Sequence, residues 1–237
     1  MQDKNPGIFT PLHVAAQRGH LDICQLIIVN IQAKNPGNHV SNTPLHLAAY
    51  RGHLDICKLI IVSIQDKNPR NSDGDTPLHL AAQRGNSDIC KYIIEKVQDI
   101  DPYNYEDFTP LYMAAENGHW DICELITKKL QSKNPADDTG YTLLHMAAER
   151  GHLHICKWIL ENIQNKNPGN VNGKTPLHVA ADEGHFDICK LIIEKTVYNN
   201  PKDYCGNTPL HVASSKGHLH IVQLISQTLE DKNPINN

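Results

Sequence analysis

The word Thr76-Pro77-Leu78-His79-Leu80-Ala81-Ala82-Gln83-Arg84-Gly85 returns in close copies that begin at Thr10, Thr43, Thr109, Thr142, Thr175 and Thr208. Each step is 33 residues. No other property of the chain limits its fold as strongly. A segment this short cannot bury an apolar face alone, so it must stack on its neighbours. Length alone, at 237 residues, would allow one or two globular domains. The periodicity predicts instead a single array over residues 1–237 with about seven repeats.

Each repeat follows one physical grammar. Thr caps a first helix, and Pro takes the first helical position, where its missing N–H costs nothing. The Leu and the Ala-Ala pair make a buried stripe narrow enough for two helices to approach closely. Gly19 and its equivalents end that helix in a left-handed cap. Asp22, Asp55, Asp88, Asp121 and Asp187 fall in the first turn of a second helix, where negative charge suits the helix dipole. That helix buries Ile, Cys, Leu and Ile at helical spacing, and Asn-Pro is expected to stop it.

Period and words together resemble the ankyrin repeat, whose mark is T-P-L-H-x-A before two antiparallel helices. T-P-L-H is intact at Thr10, Thr43, Thr76, Thr175 and Thr208; it reads Thr109-Pro110-Leu111-Tyr112 and Thr142-Leu143-Leu144-His145 in the other two repeats. The resemblance implies an all-α repeat solenoid of stacked helix-turn-helix units with hairpin or turn loops. Two departures stand out. Gln-x-Lys-Asn-Pro, as in Gln164-Asn165-Lys166-Asn167-Pro168, replaces the usual Gly-Ala-Asp-x-Asn phrase, so the second helix is expected to run longer into an altered turn. The Gly two residues before the Thr becomes Ile8, Ser41 and Asp107 in repeats one, two and four, which unsettles the hairpin geometry there.

The chain opens on Gln2-Asp3-Lys4-Asn5-Pro6 and closes on Asp231-Lys232-Asn233-Pro234, the same phase of the period. The first repeat looks as apolar as an inner one. Both features suggest a segment of a longer array. The last repeat is more cap-like, with Ser214, Ser226, Gln227 and Thr228.

Several classes are disfavoured. A net charge of −4 does not suit nucleic-acid binding by bulk charge. No apolar run approaches the roughly 20 residues of a membrane span. Six of the seven cysteines hold one repeat slot and read as small buried hydrophobes; Cys205 lies in a turn. Unpaired thiols fit a reducing compartment, so the cytoplasm is expected, with nucleus or host-cell cytosol as variants. Twelve of the fifteen histidines are repeat words. In the family the T-P-L-H histidine bonds to loop backbone and ties neighbours together. No zinc spacing, phosphate loop or nucleophile elbow occurs, and no catalytic residue, metal or cofactor is expected.

If the scaffold absorbs what recurs, function lies in what varies. The resemblance places partners on the turn tips and the exposed end of helix one, lining a concave face. Those slots hold Arg18, Tyr50, Arg51 and Arg84, then Glu116 and Glu149, a stripe running from basic to acidic. Tyr105, Phe108 and Tyr141 read as aromatic anchors on the tips. Trp120 reads as core, because Leu21, Leu54, Leu153, Phe186 and Leu219 share its slot. The expected function is noncatalytic binding of another protein by a monomer without membrane insertion. The alternative is a structural or elastic spacer of a larger scaffold, channel or effector, whose ends matter more than its face.

Overall fold

Thr-Pro opens the first helix of every repeat but the fifth, where Thr-Leu does, and a buried helix pair follows each time. The computed structural model describes residues 9–197 and 200–232. The phrase Gln2–Pro6, Ile8 and the closing Asn233-Pro234 lie outside them. Fourteen α-helices and no strand occur among the described residues, with one isolated bridge between Ala136 and Thr142. The helix pairs are α1 (Pro11–Arg18) and α2 (Leu21–Asn30), α3 (Pro44–Arg51) and α4 (Leu54–Ser63), and α5 (Pro77–Gln83) and α6 (Ser87–Ile94). They continue with α7 (Pro110–Glu116) and α8 (Trp120–Leu130), α9 (Leu143–Glu149) and α10 (Leu153–Asn162), α11 (Pro176–Glu183) and α12 (Phe186–Lys195), and α13 (Pro209–Lys216) and α14 (Leu219–Lys232).

The chain divides into two compact units, Met1–Ile126 and Thr127–Asn237. In the first unit α1, α3, α5 and α7 pack in sequence as one layer, and α2, α4 and α6 as another. In the second, α9, α11 and α13 form one layer and α10, α12 and α14 the other. The expected stripe fills each core: Leu45, Ala48 and Ala49 meet Ile56, Cys57 and Ile60, and Leu177, Ala180 and Ala181 meet Ile188, Cys189 and Ile192, all fully buried or nearly so. The alanines have no side chain beyond Cβ, which lets the layers close.

Only in the last repeat does the second helix run into the Gln-x-Lys-Asn-Pro position, with α14 reaching Lys232; in α2, α4 and α10 it stops short, and Asn-Pro does not end it. Helices α2, α4 and α10 end at Asn30, Ser63 and Asn162, where Ile31, Ile64 and Ile163 turn to extended backbone. The phrase does other work. Lys67 Nζ donates to the carbonyls of Ile61 and Ile64, and Lys166 Nζ to those of Leu160 and Ile163. A cation there satisfies orphan carbonyls at the negative end of the helix dipole. The Asn then serves the next helix: Asn35 Oδ1 accepts from Leu45 N–H at 3.1 Å and Asn134 Oδ1 from Leu144 N–H at 2.8 Å.

The turn geometry survives without its glycine. Ser41 and Asp107 adopt φ of 56° and 62°, close to the 79° of Gly74 in the same slot. What holds them is a buried Asn five residues before each Thr. Asn38 Oδ1 accepts from the N–H groups of Val40 and Asn42, both at 3.0 Å, and Asn104 Oδ1 from those of Glu106 and Phe108. This clamp forces a left-handed residue in the loop, which costs an L side chain about 1 kcal/mol. Ser41→Gly and Asp107→Gly are each expected to stabilise the chain, by up to about 1 kcal/mol, because both side chains are exposed. Urea unfolding with no rise in midpoint for either variant would refute the strain.

Candidate functional site

The recurring histidines build joints rather than a reactive centre. Thr43 N–H donates to His46 Nδ1 at 3.1 Å, so Nδ1 is the unprotonated nitrogen and Nε2 carries the hydrogen. His46 Nε2–H then donates to the carbonyl of Asp75 in the next repeat, at 3.1 Å. His13 reaches Asn42 O and His79 reaches Phe108 O in the same way. In the second unit His145 reaches Lys174 O and His178 reaches Asn207 O. These rings also complete a capping box, with His in place of the usual Glu or Gln. Burial holds them below the ordinary histidine value, His46 at about 4.

The post-glycine histidines reach backwards. His53 Nε2 lies 3.2 Å from Gln17 O and His119 Nε2 3.2 Å from Gln83 O; in the second unit His185 meets Glu149 O and His218 meets Asp182 O, both at 2.9 Å. Asn86, in the same slot, donates to Ala49 O and Tyr50 O. The close approach explains the preceding glycine. A Cβ on Gly19 would sit 2.6 Å from the His53 ring.

Six cysteines are buried, and burial pushes the Cys57, Cys156 and Cys189 thiols up to about 12, so they are poor nucleophiles. Cys205 is exposed. Among the described residues no three His, Cys, Asp or Glu side chains converge as a metal site would need. No helix among them is long and apolar enough to cross a membrane.

Asp101 breaks one pattern. It occupies the slot of Asn35, Asn68 and Asn134, and its Oδ1 accepts from Leu111 N–H at 2.8 Å. Burial raises its carboxyl to about 6 despite that bond.

The variable residues occupy two separate settings. In the first unit Arg18, Arg51 and Arg84 are exposed, each directly before a helix-ending glycine. The guanidinium carbons of Arg51 and Arg84 lie 5.7 and 4.8 Å from the centre of the Tyr50 ring. Tyr105 is 70 % exposed, and its ring covers Gly74. Phe108 is half-buried and stacks on Tyr112 at 4.3 Å; Glu116 is half-buried. In the second unit Tyr141 lies 4.9 Å from the His145 ring and donates its hydroxyl to Glu149 at 2.7 Å. The aromatics before Thr therefore pack on the ring four residues ahead in their own repeat, a local reason that the pattern alone did not supply. Trp120 is not core: it is 47 % exposed. It opens α8, and a first-turn side chain meets packed neighbours on one side only. Leu153, Phe186 and Leu219 are exposed in the same slot.

Sequence reading passed over the clamp Asn, the capping Asn and the Lys that caps helix two. Their signal was available. Asn or Asp stands five residues before the Thr at positions 38, 71, 104, 137, 170 and 203.

A family model described as ankyrin repeats in three copies matches residues 1–71, 45–137, 126–203 and 144–236. No curated protein sequence matches significantly. Among solved structures, the ankyrin repeat domain of Bcl-3, a member of the IkappaB protein family, is similar with a TM-score of 0.77 and 21% identity over 93% of this chain and 99% of that one. At that identity the likeness concerns the fold alone.

Two pH-linked outcomes follow. Unfolded histidine takes up a proton near pH 6.5, while native His46 does not until about pH 4. Stability is therefore flat above pH 6.5 and falls as pH drops, by about 2 kcal/mol at pH 5 from His46 alone. Equal urea midpoints at pH 7.5 and 5 would refute the buried neutral rings. Asp101 has the opposite sign, since its raised native value penalises the ionised form. Asp101→Asn should stabilise by about 1–2 kcal/mol at pH 7, with the gain fading as pH falls from 6 towards 4. A loss of stability at pH 7 would show that the carboxylate is needed.

Proposed function

The chain belongs to the ankyrin repeat family, and on that footing we propose that it is a noncatalytic module that recognises another protein. One observation carries the reading. The recurring polar side chains are consumed by the scaffold, whereas exposed and variable ones gather on the turn tips and the ends of helix one. In the first unit the recognition residues are Arg18, Tyr50, Arg51, Arg84, Tyr105, Phe108 and Glu116. In the second they are Tyr141 and Glu149. The chain acts as a monomer in a reducing compartment, consistent with seven free thiols, and needs no cofactor.

A second reading is structural. Ile23 and Leu26 on α2 are exposed, whereas Ile56, Ile89 and Ile188, in the slot of Ile23, are buried. An apolar face of that kind would serve end-to-end association in a spacer.

Affinity capture with the full chain as bait separates the two. The control carries Phe108→Ala, Tyr141→Ala and Arg51→Ala, with a thermal melt to show that it stays folded, because Phe108 and Tyr141 also stack locally. A protein held by the parent chain and lost by the control is the expected result. Equal capture by both would move the site. No capture, together with concentration-dependent self-association in sedimentation, would favour the spacer.

A further inference from the structure

We propose that Arg18, Arg51 and Arg84, the last two over the Tyr50 ring, bind an extended acidic peptide segment with a carboxylate at about every third residue. The inference rests on the recognition reading above and names its class of partner. The three arginines stand at the C-terminal end of helix one in consecutive repeats, Arg18 and Arg51 as its last residue and Arg84 as its cap, and all are exposed. None has an acidic partner among the described residues, unlike Lys58, which pairs with Asp55, and Lys216, which pairs with Asp182. Nearby carbonyls are taken as well. Gln17 O accepts from His53, and Ala49 O and Tyr50 O accept from Asn86. The guanidinium groups therefore keep their donor edges for something outside the chain.

Their placement is ordered. Cation–π contacts with the Tyr50 ring gather Arg51 and Arg84 from two repeats, although like charges repel. A cleft of about 320 Å³ bounded by Gln17, Arg18 and Arg51 continues the surface towards the preceding repeat. An anion set between these groups relieves the repulsion and meets planar donors suited to carboxylates.

The spacing selects the partner. Packed helices lie about 8–10 Å apart, so one arginine falls at each such step. A peptide in the polyproline II conformation covers about 9 Å in three residues and brings every third side chain back to the same face. Carboxylates at positions i, i+3 and i+6 match the row. A continuous polyanion is a poorer fit, because the chain carries a net charge of −4. In the second unit the comparable charges are answered internally: Asp182 pairs with Lys216 at 3.3 Å, and Glu149 accepts from Tyr141.

The test is fluorescence anisotropy with the full chain and a labelled synthetic Ser/Gly peptide carrying three glutamates three residues apart. Two further probes are the same peptide with glutamines and an oligothymidylate of similar length. Binding of the glutamate peptide is expected to weaken about fivefold for each of Arg18→Ala, Arg51→Ala and Arg84→Ala, and to fade with salt. The glutamine peptide should not bind. A chain with Arg51→Glu and Arg84→Glu should instead prefer the peptide rebuilt with lysines. Unchanged affinity in the alanine variants, or tighter binding of the oligothymidylate, would overturn the proposal. Peptides selected on the chain from an unbiased pool give an independent arm. Acid-free winners that bind the triple-alanine chain equally would overturn the acidic segment and leave protein recognition standing. Recovery of no peptide would count against both.

Discussion

The structure depends on a single ring that makes two hydrogen bonds, accepting one and donating the other. The T-P-L-H histidine accepts from the Thr that starts its own helix and donates to a carbonyl one repeat further on. Capping and stacking are thus the same event. A proton on Nδ1 would remove the acceptor and break the cap. Burial suppresses that proton by disfavouring the charged ring. The desolvation that makes the joint acid-sensitive also keeps it in the required tautomer. A ring that answers for two helices leaves little freedom for its neighbours, and this is why Thr, Pro and Leu travel with it through the chain.

Much of this was legible in the sequence because backbone demands recur with the period. Thr and Gly mark helix one, and the Ala pair and Cys mark the core, each at the position expected. The errors share a physical origin. Gln-x-Lys-Asn-Pro was read as the end of helix two because Pro breaks helices. Yet Lys67 and Asn68 form caps for two different helices, with partners 3 to 10 residues away that a rule about Pro alone does not see. Trp120 was assigned to the core by its slot, but a slot fixes a direction and not a depth. Ser41 and Asp107 looked like damaged turns. The clamp from Asn38 and Asn104, not the glycine, defines the loop, so the backbone tolerates the substitution at a local cost.

The candidate surfaces were less legible. Sequence identified the arginine row and the tip aromatics, but it could not say which were engaged. Tyr141 spends its hydroxyl on Glu149 and its ring on His145. The three arginines of the first unit have no such internal answer. Residue type names a capacity for binding, and only three-dimensional bookkeeping of partners shows where that capacity is left over.

The two sets of ties differ in reach. The T-P-L-H rings act 29 residues ahead, and the post-glycine side chains 36 residues behind. Both bonds join one repeat to the next, so excision or copying of a whole 33-residue block among the repeats that keep the histidine reconnects each donor with an equivalent acceptor, wherever the cut falls within the word; Tyr112 makes repeat four the exception. Genetic crossover between near-identical copies is then silent at the joints. Array length can drift by recombination, while insertions of other lengths are purged by the orphaned carbonyls they leave.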